Sequence, residues 1–174
     1  MTKKLKTSII CIMALCLLAV TACGNTKAFS ADIDCEDILN AAKSAVGSTP
    51  ENEMLYLENE NKLDTYTMSL WADGAYKECE EFHLLADYAM YYSSDNNTYE
   101  ISVLRAADRK DVEILSSLLA RRKETLSVGD KAAYDPNFKS LIEDSRILTE
   151  GEFAILLITP NNDAAETAIE NLKQ

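Results

Sequence analysis

A run of six apolar residues, Phe153–Ile158, constrains the fold more than any other segment of the chain. A strand with one face in water alternates apolar and polar side chains, whereas an unbroken apolar run favours a strand covered on both faces. The run follows the strand-like segment Ser145–Thr149, and Glu150–Gly151 supplies a tight connection between the two. We therefore predict a hairpin whose second strand is central in a sheet.

A second hairpin is predicted upstream. Its first strand alternates strictly, with one face made by Leu84, Ala86, Tyr88, Met90 and Tyr92. Residues 94–98 are rich in Asp and Asn, which tolerate left-handed backbone and favour a turn. The partner strand begins at Tyr99, and Ile101 and Val103 continue its face.

Apolar residues at helical spacing predict helices in five further segments. These are Asp34–Val46, Leu63–Asp73, a helix that begins at Asp108, a short one begun by Asp135 and Pro136, and one over residues 160–172. In the last of these, Asp163 and Glu166 have the spacing of a capping box. Arg121–Lys123 lie near the predicted end of the third helix, where cations complement the helix dipole, so a solvated helix end is favoured over an anion site.

The order of these elements indicates the fold class. Two N-terminal helices precede two strand–strand–helix units, and hairpins joined in this way favour a mostly antiparallel sheet with helices packed on one face. We expect an α+β fold, with residues 34–174 forming a single domain.

The first 22 residues indicate export. Three lysines among the first six residues precede an apolar run, Ile9–Val20, which would make roughly 18 Å of helix. The hydrocarbon core of a bilayer is about 30 Å thick, so the run is too short to span it well. A basic flank, a short apolar segment and small residues after it are typical of a signal peptide.

The end of this segment resembles the lipobox of bacterial lipoproteins. In Val20-Thr21-Ala22-Cys23 an aliphatic residue and two small residues precede a cysteine. The resemblance implies cleavage before Cys23, attachment of a diacylglyceryl group to it, and a protein held at the extracytoplasmic face of the cell membrane. An ordinary secretory signal or an uncleaved anchor is the alternative. Residues 23–33 would then be the lipidated cysteine and a linker.

Charge excludes one class of partner. Without residues 1–22 the chain has fourteen basic and twenty-nine acidic residues, a net charge of −15. Such a surface is repelled by phosphate backbones and by anionic headgroups, so we expect no nucleic-acid partner and attachment to the membrane through lipid alone.

Two cysteines remain once Cys11 and Cys16 leave with the signal and Cys23 carries lipid. Outside the cytoplasm Cys35 and Cys79 could pair as a disulfide or stay as free thiols, and the sequence leaves both open. A catalytic thiol is disfavoured at Cys35, because its acidic neighbours oppose a thiolate.

No motif identifies a reaction. His83 is the only histidine and is interpreted as an ordinary residue at a strand edge. Neither a zinc site nor a calcium loop can be assembled at the spacing those ions require, so no metal and no cofactor are expected. Tyr91 and Tyr99 are interpreted first as packing residues. If exposed, they would instead form a recognition surface for peptide or glycan.

The quoted segments together resemble a known family. The strand and helix over residues 99–126, the turn with Tyr134 and Pro136, and the last hairpin with Gly151 are similar to the DUF4358 domain, a domain of unknown function. The resemblance covers roughly residues 33–173. It implies an envelope lipoprotein of the kind found in Firmicutes, chiefly clostridia and their relatives, and it supplies no catalytic residues.

The sequence therefore favours a non-catalytic binding module, anchored to the membrane, whose partner is an envelope protein or a small ligand. Two alternatives stay open: an envelope hydrolase that uses carboxylates the sequence does not single out, and an accessory subunit of a transporter or sensor.

Overall fold

The structure is a computed structural model that describes residues 27–47, 53–73, 79–93 and 99–174. The predicted signal peptide, Cys23 and the predicted turn over residues 94–98 lie outside the described residues.

The described chain contains six α-helices and five β-strands. The helices are α1 Cys35–Val46, α2 Thr65–Asp73, α3 Val112–Val128, α4 Asp130–Tyr134, α5 Pro136–Glu143 and α6 Asn162–Glu170. The strands are β1 Glu53–Leu57, β2 Leu85–Ser93, β3 Glu100–Ala106, β4 Arg146–Glu150 and β5 Phe153–Ile158. Two short 3₁₀ helices, Glu80–Leu84 and Arg109–Asp111, precede β2 and α3.

The strands form one five-stranded sheet in the order β1-β2-β3-β5-β4, and every neighbouring pair is antiparallel. The predicted α+β class with an antiparallel sheet is confirmed. β5 lies between β3 and β4, with Ile155 opposite Val103 on one side and Leu148 on the other. All six residues of β5 are buried, as its unbroken apolar sequence predicts.

Helices cover both faces of the sheet, so the expectation that they pack on one face is wrong. The side chains of Ile101, Ile155 and their neighbours on one face pack with residues of α1 and α6. On the other face, Leu104 and Leu156 pack with residues of α2 and α3. The physical reason is that β5 is apolar on both faces, and each face has to be removed from water.

The domain begins earlier than residue 34. Backbone hydrogen bonds join Ala28 and Gln174 in both directions, at 3.3 and 3.0 Å. The next residue, Phe29, forms an isolated antiparallel β-bridge with Lys173. The Phe29 ring packs edge-on against the ring of Phe153 at a centroid distance of 5.4 Å. The second half of the segment predicted as a linker is therefore part of the folded domain.

Polar side chains begin three of the helices. Asp34 forms a reciprocal capping box with Asp37 at the start of α1, and Asp135 accepts hydrogen bonds from two backbone amides of α5. The capping box predicted at Asp163 is wrong: Asn161 caps α6, and its side chain accepts from the amide of Ala164. Asp163 lies within the first turn, where its charge still complements the helix dipole.

Candidate functional site

The most buried charged group of the described chain is Glu100, at the start of β3. Its residue is 3% exposed, and Arg122 of α3 donates to it from Nε and Nη2 at 3.0 and 2.8 Å. Trp71 Nε1 and Ser102 Oγ donate to the other carboxylate oxygen at 3.0 and 2.9 Å. Both oxygens of this buried carboxylate are thus occupied by donors of the fold itself, which marks the group as part of a structural ion pair.

This cluster joins three elements of the fold. Arg122 also donates from Nη1 to the backbone carbonyl of Trp71 at 3.0 Å, so α2, α3 and β3 meet at one guanidinium group. Arg122 was expected at a solvated helix end, and that expectation is wrong, because α3 continues to Val128. Its neighbour Arg121 pairs with Glu81 at 2.7 Å and lowers the pKa of that carboxyl to about 2.

Tyr91 and Tyr99 are buried, so the recognition surface proposed for them is wrong. Their side chains are 0% and 5% exposed and their rings meet edge to face at 5.5 Å. The Tyr91 hydroxyl donates to Glu53, and the ammonium of Lys43 lies 3.9 Å from the centre of the Tyr91 ring. The two rings are buried because α1 covers this face of the sheet. If helices packed on the opposite face only, this face would be open to solvent.

The hydroxyl of Tyr99 is a buried polar atom without a hydrogen-bond partner in the described structure. Burial, with Glu53 as a smaller cause, raises the pKa of Tyr99 to about 12. The group therefore stays neutral at physiological pH and acts as an apolar packing side chain.

Cys35 and Cys79 are free thiols, and both are buried. They do not meet, since Cys35 packs with the α1 side of the sheet and Cys79 with the α3 side. The disulfide that the sequence left open is thus not formed. Burial and the carboxylate of Asp87 raise the pKa of Cys35, while burial and Glu81 raise that of Cys79 to about 11. Neither thiol is poised as a nucleophile.

His83 lies in the 3₁₀ helix Glu80–Leu84 and is exposed to solvent. It therefore precedes β2 instead of lying at a strand edge.

Two clefts flank Arg105, at the end of β3 that is near Phe29. We call this end of the sheet the Arg105 end. One cleft, about 330 Å³, has acidic residues for half of its lining: Asp34, Glu36, Glu58, Glu60 and Asp87. The other, about 310 Å³, has Phe29, Arg109, Glu152 and Phe153 among its lining residues. Arg105 lines both, and its Nε donates to Glu152 at 2.9 Å.

Several carboxylates of the acidic cleft are already bonded within the fold. Asp87 accepts from the backbone amide of Cys35 at 3.0 Å, Asp34 caps α1, and Glu58 pairs with Lys62 at 2.6 Å. Glu36 and Glu60 are exposed and face solvent. The cleft can attract a cationic group, and its two exposed carboxylates are the ones left to meet it.

Sequence reasoning missed the partners that build this end of the domain. Arg105 and Glu152 are 47 residues apart, and only the pairing of β3 with β5 brings them together. Alternating strand patterns indicated which residues share a face, but they carry no information on which strands are neighbours.

Within the described ranges, no group of three or more His, Cys, Asp or Glu residues is placed to hold a metal ion. The same ranges contain no helix with the length and apolar character needed to cross a bilayer. No family model matches the chain, and neither the search of curated proteins nor that of solved structures finds a match.

Proposed function

We propose that this chain is a lipoprotein anchored at the outer face of the cytoplasmic membrane through Cys23, and that its domain is a non-catalytic binding module of the cell envelope. The observation that carries the proposal is the sequence of the first 23 residues, in which a basic flank and a short apolar run lead to Val20-Thr21-Ala22-Cys23. Two or more acyl chains on one cysteine give a durable anchor.

The chemistry of the domain supports the binding role. Glu100 is saturated by donors and the two buried thiols have raised pKa values. Among the described residues, the carboxyl groups with a shifted pKa all have it lowered. A carboxylate of lowered pKa is a weak base, so these groups suit charge pairing better than proton transfer. The acidic cleft at the Arg105 end is the surface we assign to a partner or ligand with cationic groups.

Membership of the DUF4358 family is part of the same proposal. It rests on the residues given for the resemblance, among them Pro136 at the first position of α5 and Gly151 in the last hairpin.

Changing Cys23→Ser tests the anchor. We expect the variant to lose metabolic labelling with a fatty acid and to remain uncleaved by the lipoprotein signal peptidase. Cys35→Ser is the matched control, because that thiol is buried in the domain and labelling should persist. Labelling that survives Cys23→Ser would contradict the proposal.

Affinity capture from the protein's own membranes tests the binding role. We expect a partner to be retained by the wild type and lost on Glu36→Lys with Glu60→Lys, which reverses charge in the acidic cleft. Glu124→Lys reverses an exposed charge on α3 and should leave capture unchanged. Turnover of a cell-wall substrate by the purified protein would contradict a non-catalytic module.

A further inference from the structure

We propose that the Arg105 end of the domain faces the lipid bilayer and that the opposite end of the sheet points away from it. This inference rests on the proposed anchoring at Cys23. It adds the orientation of the domain, that is, which of its surfaces faces the membrane and which faces outward.

The first step is the length of the tether. The backbone is fixed to the domain from Ala28 onward, because Ala28 exchanges two hydrogen bonds with Gln174. Five residue steps separate Cys23 from Ala28, and a fully extended chain spans at most about 18 Å over that distance. A lipid on Cys23 therefore holds Ala28 within about 2 nm of the headgroups.

The second step is where Ala28 lies on the domain. Its neighbour Phe29 packs on Phe153, and Phe153 is paired with Arg105 in the sheet. The other end of β3 is Glu100, roughly 17 Å further along the strand at about 3.4 Å per residue. Helices and loops extend the domain beyond Glu100, so turning that end toward the bilayer would need more chain than the fully extended tether supplies.

The third step is the chemistry of the surface that results. Lys27, Arg109 and Lys110 are exposed and lie at the Arg105 end of an otherwise strongly acidic protein. Among the described residues no carboxylate pairs with Arg109, whereas Lys110 pairs with Asp108 at 2.8 Å. These cations offset only part of the negative charge at this end, which also carries the acidic cleft, so the lipid and the short tether set the orientation and headgroup attraction does not.

Energy transfer from a donor dye to a headgroup acceptor measures the orientation. The acylated protein is purified from membranes and placed in vesicles of phosphatidylcholine and phosphatidylglycerol. A donor is attached at Ala107→Cys, at the Arg105 end, or at Asp144→Cys, beside the start of β4. Both positions are exposed, and the native thiols Cys35 and Cys79 are buried and stay unlabelled.

We expect transfer from position 107 to exceed that from position 144 by at least about twofold, given a difference of roughly 20 Å or more in height. A Gly-Ser insertion of about twenty residues before Lys27 is the control, and it should abolish the difference by lengthening the tether. Equal transfer with the native tether, or stronger transfer from position 144, would overturn the orientation alone. Protein that fails to sediment with the vesicles would overturn the anchor and the orientation together.

Discussion

At the scale of single residues, Glu100 and Arg122 are expected to matter most for stability. Their side chains are 4% and 14% exposed, and removing one partner leaves the other charge buried without compensation. We predict that Arg122→Met lowers the free energy of unfolding by about 3–5 kcal/mol, measured by urea denaturation.

The double variant Glu100→Gln with Arg122→Met measures how strongly the two charges depend on each other. The double variant should lose less stability than the two single variants added together, because it leaves no buried charge unpaired. Lys139→Met, in an exposed pair with Glu143, is the control and should change stability little. A loss for Arg122→Met no larger than that of the control would contradict the assignment.

The pair of Glu81 with Arg121 makes stability depend on pH in the acid range. In the folded state the pKa of Glu81 is lowered from 4.5 to about 2, so the unfolded state binds more protons between these pH values. The stabilisation is present above pH 4.5 and is lost as the pH falls toward 2. We predict that wild type and Glu81→Gln differ by less than about 1 kcal/mol at pH 7, since the pair is partly exposed, and converge at low pH. A difference that grows on acidification would refute this.

Residues that act locally could be predicted from the sequence, and distant partners could not. Asp34 and Asp135 were predicted at helix starts because a cap bonds amides only two or three residues away. Glu100 and Arg122 are 22 residues apart, and no local pattern joins them. Tyr91 was misjudged as a candidate for exposure because its burial depends on α1, which packs from another part of the chain.

At the scale of elements, the last hairpin depends on the conformation of Gly151. Its φ is +61°, a left-handed backbone that residues with a Cβ adopt at a cost, while the space around a Cβ would be open. We predict that Gly151→Ala lowers the free energy of unfolding by about 1 kcal/mol.

Gly129 provides the matched control for this substitution. Its φ is −65°, and an added Cβ would make ordinary contacts of 3.5 and 3.6 Å with backbone carbonyls of α3. Gly129→Ala should change stability by no more than about 0.5 kcal/mol in the same denaturation assay. Equal losses at the two glycines would show that backbone conformation is not the cause.

Strongly patterned elements were predictable and weakly patterned ones were not. β5 and α1 follow from an apolar run and a helical stripe, respectively. β1 was missed, because its five residues lie in a charged segment and become a strand by pairing with β2, with Leu55 opposite Tyr91. Strand formation at a sheet edge is decided by the neighbour as much as by the strand itself.

At the scale of the whole molecule, the sheet separates the two remaining cysteines. We predict that neither Cys35 nor Cys79 reacts with a thiol reagent in the native protein and that both react in denaturant, as counted by mass spectrometry. The melting temperature should be the same with and without a reductant. A native disulfide, or rapid labelling of one thiol before unfolding, would contradict the burial of these side chains.

The layer arrangement was the largest error of sequence reasoning, although the residues that decide it were visible. The apolar run of β5 was correctly assigned to a strand covered on both faces, and such a strand requires helices on both sides of its sheet. The alternating pattern of β2 had suggested one buried face and one exposed face. In the structure Tyr88 and Tyr91 point to opposite faces of the sheet and both are buried.

The pairing of Ala28 with Gln174 has a consequence for the order of folding. Phe29 can dock only when residues 173 and 174 are in place, so one of the earliest parts of the domain to be synthesised is completed by one of the last. During synthesis, the segment that begins at Ala28 must wait until nearly the whole domain has emerged, and a chain shortened by a few residues at its carboxyl end would leave Ala28 and Phe29 without these backbone partners.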